Sequence, residues 1–596
     1  MVNTFSCQEA LPTMPVPDLQ DTCNRLLEWA EPLLTEEERT SAKIVVEQFL
    51  LSGGEGERLQ NELCDWNDRD DVSNWSSSAW KDLYLESREP LVINSNVFYY
   101  LKSKLDKEVC KQATIAAALI VSVYRFIALI DKHDLNVDMQ KEIPLCMNQY
   151  NSIFSSIRIP RIGTDEFKVS SSRQHIIVLR NQHIYKINII DGKGNIRSPS
   201  AIEFDLECIL SASDKGQNIG LLTTMPRDVW ANRRAELLDS SSSNKEGMTV
   251  IEEAVFALCL DENKPEAITE ISKQLLHGTG SNRYFDKSVQ FIVFANGKTG
   301  INFEHTGVDG SVMLRLIAHI YDSIDAVVFD EKDREEIKNS AIPSEVEGIK
   351  FELNDALCRT VQDAGDQFIQ HTANTQTRVL NFSFFGKNQI KQFGVSPDAF
   401  VQLALQLAEY KLYGKCYSAY EAVMTRTFLD GRIDVLYTVT PESMAFIRNV
   451  DSSNSSVKEK QHLLRQALQK HIARAHECRV GNGVYTHLLA LKYRYKIAGR
   501  SIGLSSLPTL FTDTGYQALT HSVVCTSTTS EYGVDLAGYG PIVDDGYGIR
   551  YFTKNDGICF NMTSRTQMQE NLDKMVIYIE QSLSEMAELM REETEN

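Results

Sequence analysis

The sequence lacks the features that mark several large classes of protein. None of its twelve cysteines forms a Cys-x-x-Cys pair, which disfavours structural zinc and a dense disulfide framework. The thiols are therefore expected to be reduced and buried. No repeat of fixed period is visible, and a composition with 42% hydrophobic and 24% charged residues excludes collagen, wholesale disorder and a polytopic membrane protein.

Positive charge is also scarce. Lys and Arg total 61 against 81 Asp and Glu, so the net charge is −20. Such an acidic chain would repel a phosphate backbone over most of its surface, which argues against nucleic acid as a partner. Any anionic ligand must then be bound by a local cluster of basic side chains.

Neither a targeting segment nor a membrane span is evident. The N-terminus has no basic region followed by an apolar run, so we expect no signal or transit peptide and a cytoplasmic location. The most apolar stretch, residues 113–130, is interrupted by Tyr124 and Arg125 and is too short to span a bilayer comfortably. It predicts a buried core helix, and no transmembrane segment is expected.

What the sequence does contain is a mixture of strands and helices. Its 596 residues correspond to about four ordinary domains or to two large ones. Residues 289–295 predict a buried strand, closed by the turn Asn296-Gly297, with a returning strand at 301–304. Helical spacing at 311–324 then places His305 at the exit of a strand, just before a helix.

Other elements can be predicted from local signals. Ser396 and Pro397 predict the N-terminus of a helix, and residues 433–437 predict a strand. The polar, serine-containing segments 239–244 and 451–460 predict exposed loops.

Three segments carry side chains suited to chemistry. In the first, His305 precedes Asp309 by four positions and is a candidate general base, although an isolated histidine more often has a structural role. In the second, Lys387 and Lys391 share one face if helical and would suit a phosphate; a solvated charged face is the alternative. In the third, the hydroxyls of residues 525–528 could support an oxyanion, or could simply belong to a polar strand.

Together with further segments, these three resemble the choline/carnitine acyltransferase family. The resemblance covers nearly the whole chain in the expected order. The additional matches lie at residues 11–17, 31–34, 84–88, 94–96, 154–160, 220–223, 227–231 and 282–287.

The resemblance implies an α/β fold of two CoA-dependent acyltransferase-like domains with an active-site tunnel between them. One domain would span residues 90–347, and the other residues 1–89 and 348–596. The family is mostly monomeric, uses acyl-CoA as co-substrate and transfers the acyl group to a small trimethylammonium alcohol. No metal is implied.

The resemblance also implies residue roles. His305 matches the catalytic base, and Ser527 matches the hydroxyl that binds the tetrahedral oxyanion. Asp309 matches the acid that pairs with Arg432 beside the site. The CoA-side positions are matched by Lys387, Lys391, Asp398 and Glu421.

The alcohol-site residues favour choline. Carnitine enzymes bind a carboxylate with an Arg before His-Leu-Leu and with two Thr after Gly-Arg; here these positions hold Thr486, Ile433 and Val435. A buried carboxylate without its cation would be costly. Tyr539 matches the aromatic ring placed against the trimethylammonium group, and Tyr420 matches an alcohol-site tyrosine.

Several departures leave alternatives open. Ala422 and Met424 replace two serines of the CoA side, and Thr528 replaces the usual glutamine. Carnitine or another small alcohol as acceptor, and a weakly catalytic paralogue, therefore remain alternatives. The acyl pocket should lie at Ala537 and Gly538. The small side chain of Ala537 predicts tolerance of acyl groups somewhat longer than acetyl.

Overall fold

The structure, a computed structural model, describes residues 3–105, 110–339 and 344–594. The helices in this part of the chain are α1 (Leu19–Ala30), α2 (Glu36–Phe49), α3 (Glu55–Asn67), α4 (Ser77–Leu85), α5 (Gln112–Asp131), α6 (Pro199–Ser211), α7 (Arg227–Ser240), α8 (Ser242–Glu253), α9 (Ile268–Leu276), α10 (Gly310–Ser323), α11 (Glu331–Asn339), α12 (Asp355–Ala373), α13 (Lys387–Gln392), α14 (Pro397–Tyr413), α15 (Pro441–Asn449), α16 (Val457–Arg479), α17 (Val484–Ala498), α18 (Thr514–Thr520) and α19 (Gln569–Thr594).

The strands are β1 (Asn96–Leu101), β2 (Met139–Gln140), β3 (Ile143–Pro144), β4 (Ser156–Ile159), β5 (Glu166–Val169), β6 (His175–Arg180), β7 (His183–Asn188), β8 (Ala257–Asp261), β9 (Val289–Phe294), β10 (Thr299–Glu304), β11 (Val346–Ile349), β12 (Thr375–Phe382), β13 (Ala419–Met424), β14 (Ile433–Tyr437), β15 (Val524–Thr528), β16 (Val534–Tyr539), β17 (Tyr547–Thr553) and β18 (Ile558–Arg565).

Two large sheets organise the molecule. The first has eight strands in the order β11-β7-β6-β8-β9-β10-β1-β16, and the second has six in the order β12-β18-β17-β15-β13-β14. The predicted α/β architecture with two sheet-containing domains is confirmed. Strand β16 comes from the predicted second domain, yet it pairs antiparallel with β1 of the first sheet, so the chain crosses between the two sheets near its C-terminus.

Helix α5 packs in the hydrophobic core against the first sheet. Among the described residues, α5 alone is long and apolar enough to cross a membrane, and most of it is buried inside the protein. Its side chains pack with those of β6, β8 and β9 in one hydrophobic cluster. The predicted core helix is confirmed.

The strand–turn–strand–helix unit around His305 is also confirmed. Strands β9 and β10 pair antiparallel, and Gly297 adopts φ +76° in the turn between them, a conformation that glycine tolerates without strain. Helix α10 begins at Gly310. His305 therefore directly follows the fully buried strand β10 and lies just before the N-terminus of α10.

Two other local predictions hold, one is wrong, and the loop predicted at 451–460 ends at Ser456 because α16 begins at Val457. Ser396 caps α14 by accepting a hydrogen bond from the Ala399 N–H, and β14 has the predicted bounds. Residues 239–244 do not form a loop, because α7 runs through Ser240 and α8 begins at Ser242. Ser241 supplies the N-cap of α8 with its hydroxyl, so the serines serve as capping residues there.

Candidate active site

A cavity of about 380 Å³ is lined by residues of both sheets. Its walls come from β1, β13, β14, β15, β16 and β17, with the start of α10 and the end of α4. Four predicted catalytic residues, His305, Asp309, Arg432 and Ser527, line this one cavity although they are separated by up to 222 positions in the sequence. The structure thus brings them together.

His305 is held by stacking rather than by a close acid. Its ring stacks on Tyr84 with centroids 5.3 Å apart and planes 11° apart. Its Nδ1 lies 3.6 Å from Asp309 Oδ1, beyond hydrogen-bond distance. Burial lowers the pKa of His305 below its ordinary value, against the opposing effect of the Asp309 charge. At neutral pH the imidazole is therefore uncharged and able to accept a proton.

Asp309 and Arg432 form an ion pair beside the histidine. Arg432 Nη2 donates to Asp309 Oδ1 at 2.8 Å, and Gln149 exchanges hydrogen bonds of 2.7 Å with the same acid through its side-chain amide. Burial opposes ionisation of Asp309, but Arg432, His305 and the Gln149 hydrogen bond together outweigh it and lower the pKa of Asp309. Arg432 also donates to the backbone carbonyls of His305 and Thr306, so the pair fixes the backbone that carries the base.

Ser527 has a cationic neighbour that sequence reasoning missed. Strands β15 and β17 run parallel, with Ser527 opposite Arg550. Arg550 Nη1 donates to Ser527 Oγ at 2.8 Å, which leaves the serine hydroxyl hydrogen free to donate elsewhere. Both side chains line the cavity. A hydroxyl oriented in this way is suited to stabilise a developing oxyanion.

The predicted alcohol-site residues divide into two groups. Tyr420, Ile433 and Tyr539 line the cavity. Val435 and Thr486 do not; both are about 1% exposed and lie behind its wall. The Thr486 hydroxyl donates to Asp434 Oδ1 at 2.6 Å, and the Val435 N–H donates to the same oxygen at 2.7 Å. The position that the sequence resemblance assigns to a carboxylate-binding Arg is therefore occupied by a neutral side chain, Thr486, that is already bound to an acid.

Burial raises the pKa of Asp434 to about 6. The folded protein thus binds this proton more tightly than the unfolded chain does. The contribution of Asp434 to stability is largest below the unfolded pKa near 4 and is lost as the pH rises through 6. At pH 7.5 ionisation of this buried carboxylate lowers the free energy of unfolding by up to roughly 3 kcal/mol, since one pKa unit corresponds to about 1.4 kcal/mol.

We therefore expect Asp434→Asn to be more stable than the wild type at pH 7.5, with a smaller advantage at pH 5. The amide oxygen can still accept the hydrogen bonds from Thr486 and Val435. Thermal unfolding at both pH values measures the effect, and Asp366→Asn on α12, an exposed carboxyl, is the control. An equal pH response in the two variants would contradict the prediction.

The predicted CoA-side residues lie outside the cavity. Lys387 and Lys391 share one helix, α13, as the four-residue spacing requires, and Lys391 is exposed. Asp398 lies in the first turn of α14, where it accepts a hydrogen bond of 2.6 Å from the Tyr551 hydroxyl. From Tyr551 the hydrogen bonds continue through Gln402 and Thr526, the residue before Ser527.

Asp398 has two titratable neighbours. His471 Nε2 lies 3.7 Å from Asp398 Oδ2 and 3.4 Å from Glu421 Oε2. These three side chains are close enough to one another to hold a metal ion. Burial and the Asp398 charge raise the pKa of Glu421 well above its ordinary value, which favours the protonated form of this carboxyl beside Asp398.

The predicted acyl-pocket residues do not line the cavity. Ala537 is fully buried beside its β1 partner Tyr99. A Cβ on Gly538 would lie 2.2 Å from Asn561 Nδ2 and 2.6 Å from Phe98, so this backbone is in close contact with its neighbours. The cavity reaches neither residue, and the prediction of longer acyl groups stays a prediction.

Comparison with known proteins agrees with the geometry. The model of the choline/carnitine O-acyltransferase family matches residues 14–581. The chain belongs to this family. Carnitine O-acetyltransferase of Columba livia is 34% identical over 98% of this chain and 94% of that protein. Mitochondrial carnitine O-palmitoyltransferase 2 of Mus musculus is 32% identical over 95% of this chain and 90% of that protein.

Among solved structures, the first condensation domain of the CDA synthetase matches with a TM-score of 0.37 at 10% identity, over 85% of this chain and 94% of that one. Membership of the choline/carnitine acyltransferase family, predicted from the sequence, is confirmed by the family model. The protein is an acyltransferase. The family leaves the alcohol and the acyl group to be decided by the residues of this chain.

Two contributors to the site could not be recognised in the sequence. Tyr84 belongs to a segment that resembles the family, but nothing in that segment showed that its ring would stack on His305. Arg550 follows Tyr547 and Gly548 in a strand of ordinary composition. Its place beside Ser527 depends on which strands are neighbours, and no local pattern reports that.

Proposed function

We propose that this protein transfers a short acyl group from CoA to choline, with direct transfer and His305 as general base. The observation that carries the proposal is the Thr486–Asp434 hydrogen bond. It replaces the cation that a carnitine carboxylate would need. The relatives named above act on carnitine, so carnitine is the second candidate; the loss of the cation favours choline.

The chemistry follows from the arrangement of the cavity. His305 takes the hydroxyl proton of the alcohol as its oxygen attacks the thioester carbon. The oxyanion that forms accepts a hydrogen bond from Ser527. When the C–S bond breaks, the imidazolium returns the proton to the CoA sulfur. Lys387 and Lys391 would bind the CoA phosphates, with Asp398 and Glu421 on the same side.

The trimethylammonium end of the alcohol would contact aromatic rings. Tyr420 and Tyr539 line the cavity, and rings of this kind attract a quaternary ammonium through their faces. The charge of Asp434 behind Ile433 would favour a cation at this end. Because the neutral Thr486 and Ile433 occupy the positions expected to bind a carboxylate, a carboxylate on the alcohol would have to lose its hydration there without compensation.

The test is CoA release from acetyl-CoA with choline and with carnitine in parallel. We expect kcat/KM to be at least about tenfold higher with choline, since 1.4 kcal/mol corresponds to a factor of ten. Thr486→Arg should raise the carnitine-to-choline ratio by introducing a cation at the alcohol end. Thr509→Arg adds the same charge at an exposed position and is the control.

Two outcomes would contradict the proposal. Equal or higher kcat/KM with carnitine would assign the acceptor to the second candidate. Absence of CoA release with either alcohol, while acyl-CoA still binds, would support a weakly catalytic paralogue.

A further inference from the structure

Arg550 is the exception among the buried arginines of this protein. Nine arginines are buried in the described residues, and eight of them lie within 4 Å of an Asp or Glu oxygen. No carboxylate of the described chain lies that close to Arg550, which is only 7% exposed. Its cation is buried at the wall of the substrate cavity without a counter-ion.

Arg550 has N–H donors left over that could bind a ligand. A guanidinium offers five N–H donors. One Nη1 hydrogen is donated to Ser527 and one Nη2 hydrogen to the Tyr99 hydroxyl, at 2.9 Å. The Tyr99 hydroxyl, which accepts that bond, keeps its own hydrogen for another partner. A buried and unpaired charge is costly, so an anion that binds here gains both charge compensation and directed donors.

The start of α10 adds to this environment. A Cβ on Gly310 would lie 2.8 Å from the Tyr99 hydroxyl and 3.5 Å from Arg550 Nη2, so these polar groups lie directly against the first turn of α10. The first N–H groups of a helix lack partners within the helix and carry partial positive charge. Arg550, Tyr99 and this helix end therefore converge on one side of Ser527.

The sheet order shows which part of the substrate reaches Arg550. Two of the predicted alcohol-end residues, Ile433 and Val435, belong to β14, which is separated from β17 by β13 and β15. At about 4.8 Å per strand, Arg550 lies about 14 Å from that strand. Its hydrogen-bond partner Tyr99 is paired across the sheet with Ala537, where the acyl pocket is predicted. Arg550 therefore lies on the side of Ser527 that is predicted to hold the acyl group.

We propose that Arg550, with Tyr99 and the first turn of α10, binds a carboxylate at the far end of the acyl group. The acyl donor is then the CoA thioester of a short dicarboxylic acid. This assignment rests on the proposed acyl transfer and names its donor class. The alcohol oxygen still forms the new bond to the thioester carbon, the C–S bond breaks, and the proton passes through His305 to the CoA sulfur, while the distal carboxylate stays unchanged on Arg550.

The transition-state oxyanion by itself does not account for this arginine. The oxyanion exists only during the reaction, and the thioester carbonyl is neutral before it. A permanent buried cation is compensated in the bound state only by a permanent anion. Three or four carbons suffice to join the two sites, because Arg550 lies 2.8 Å from the Ser527 hydroxyl that would hold the carbonyl oxygen.

The first test measures binding without any alcohol, so that it does not depend on the acceptor. Dissociation constants are determined for succinyl-CoA against butyryl-CoA and for malonyl-CoA against propionyl-CoA, pairs in which a carboxylate replaces a methyl group. We expect the wild type to bind at least one carboxylated member more tightly. Arg550→Gln should raise the dissociation constant of that carboxylated thioester by about 30-fold or more, as for loss of one partner from a buried charge pair. It should change the dissociation constant of the neutral thioester by less than threefold.

Two further variants guard against a folding defect. Arg550→Lys keeps the charge without the planar fork and should retain part of the carboxylate preference. Arg378→Gln on β12 removes an arginine of the same sheet that is paired with Asp573 at the surface and should change nothing. Thermal unfolding of each variant confirms that it is folded.

Turnover with choline distinguishes carboxylate binding by Arg550 from support of the oxyanion. If Arg550→Gln lowers kcat/KM equally for acetyl-CoA and succinyl-CoA, the arginine supports the oxyanion and the inference is overturned. Equal wild-type affinity for the carboxylated and neutral members of both pairs overturns it as well. Charge-selective binding without CoA release to choline would instead refute only the proposed acceptor.

Discussion

Replacement of His305 with alanine is expected to lower kcat by about 10²–10⁴-fold, the usual effect of removing a general base. The imidazole is the uncharged base of the cavity, because burial lowers its pKa. Its ring orientation is set by Tyr84 and its backbone by Arg432. Without it, the alcohol hydroxyl would have to lose its proton to water. Steady-state release of CoA from acetyl-CoA in the presence of choline measures the change.

A surface histidine provides the matched control for this substitution. His462 lies on the exposed face of α16, and His462→Ala should keep the activity of the wild type. Binding of acyl-CoA to His305→Ala should also be preserved, since the histidine acts on the reacting atoms. Activity within tenfold of the wild type in His305→Ala would show that another group is the base.

Substitution of Arg432 with methionine is expected to destabilise the fold by about 3–5 kcal/mol, the usual cost of breaking a buried ion pair. Asp309 would remain buried with its charge uncompensated, and the carbonyls of His305 and Thr306 would lose their donor. Loss of that donor also frees the backbone of the base, so kcat should fall together with stability. Thermal and urea unfolding measure the first effect, and CoA release measures the second.

A double variant separates charge from structure. Arg432→Met combined with Asp309→Asn removes both charges, and it should recover a large part of the stability but not the activity. Arg69→Met removes one partner of an exposed pair with Asp71 and should leave the stability almost unchanged. If Arg432→Met costs no more than this control, the buried pair does not stabilise the site.

The sequence by itself determined the local elements and the family. The buried-strand and helical patterns around His305, the Ser396 cap and the spacing of Lys387 and Lys391 depend on neighbours within a few positions. Each of them is present in the structure. These signals are reliable because hydrogen bonding and side-chain direction within one strand or helix are set by the residues of that element.

Local patterns failed where a residue's role depended on a distant partner. Serines at 239–244 indicated a loop, but Asn244 is fully buried and donates to carbonyls of Leu237 and Glu352. These hydrogen bonds and the capping hydroxyl of Ser241 allow a single residue to connect α7 and α8. A polar composition describes exposed loops only when no other segment covers them.

Only the tertiary structure decided the details of the site. Arg550 meets Ser527 because β15 and β17 are parallel neighbours, Thr486 meets Asp434 across 52 positions, and β16 joins the opposite sheet. Strand order and the packing of helices on sheets bring such pairs together, and their energies depend on burial that no short segment contains. The sequence therefore determined what class of enzyme this is, and the packing of the two sheets determined which charges face its substrates.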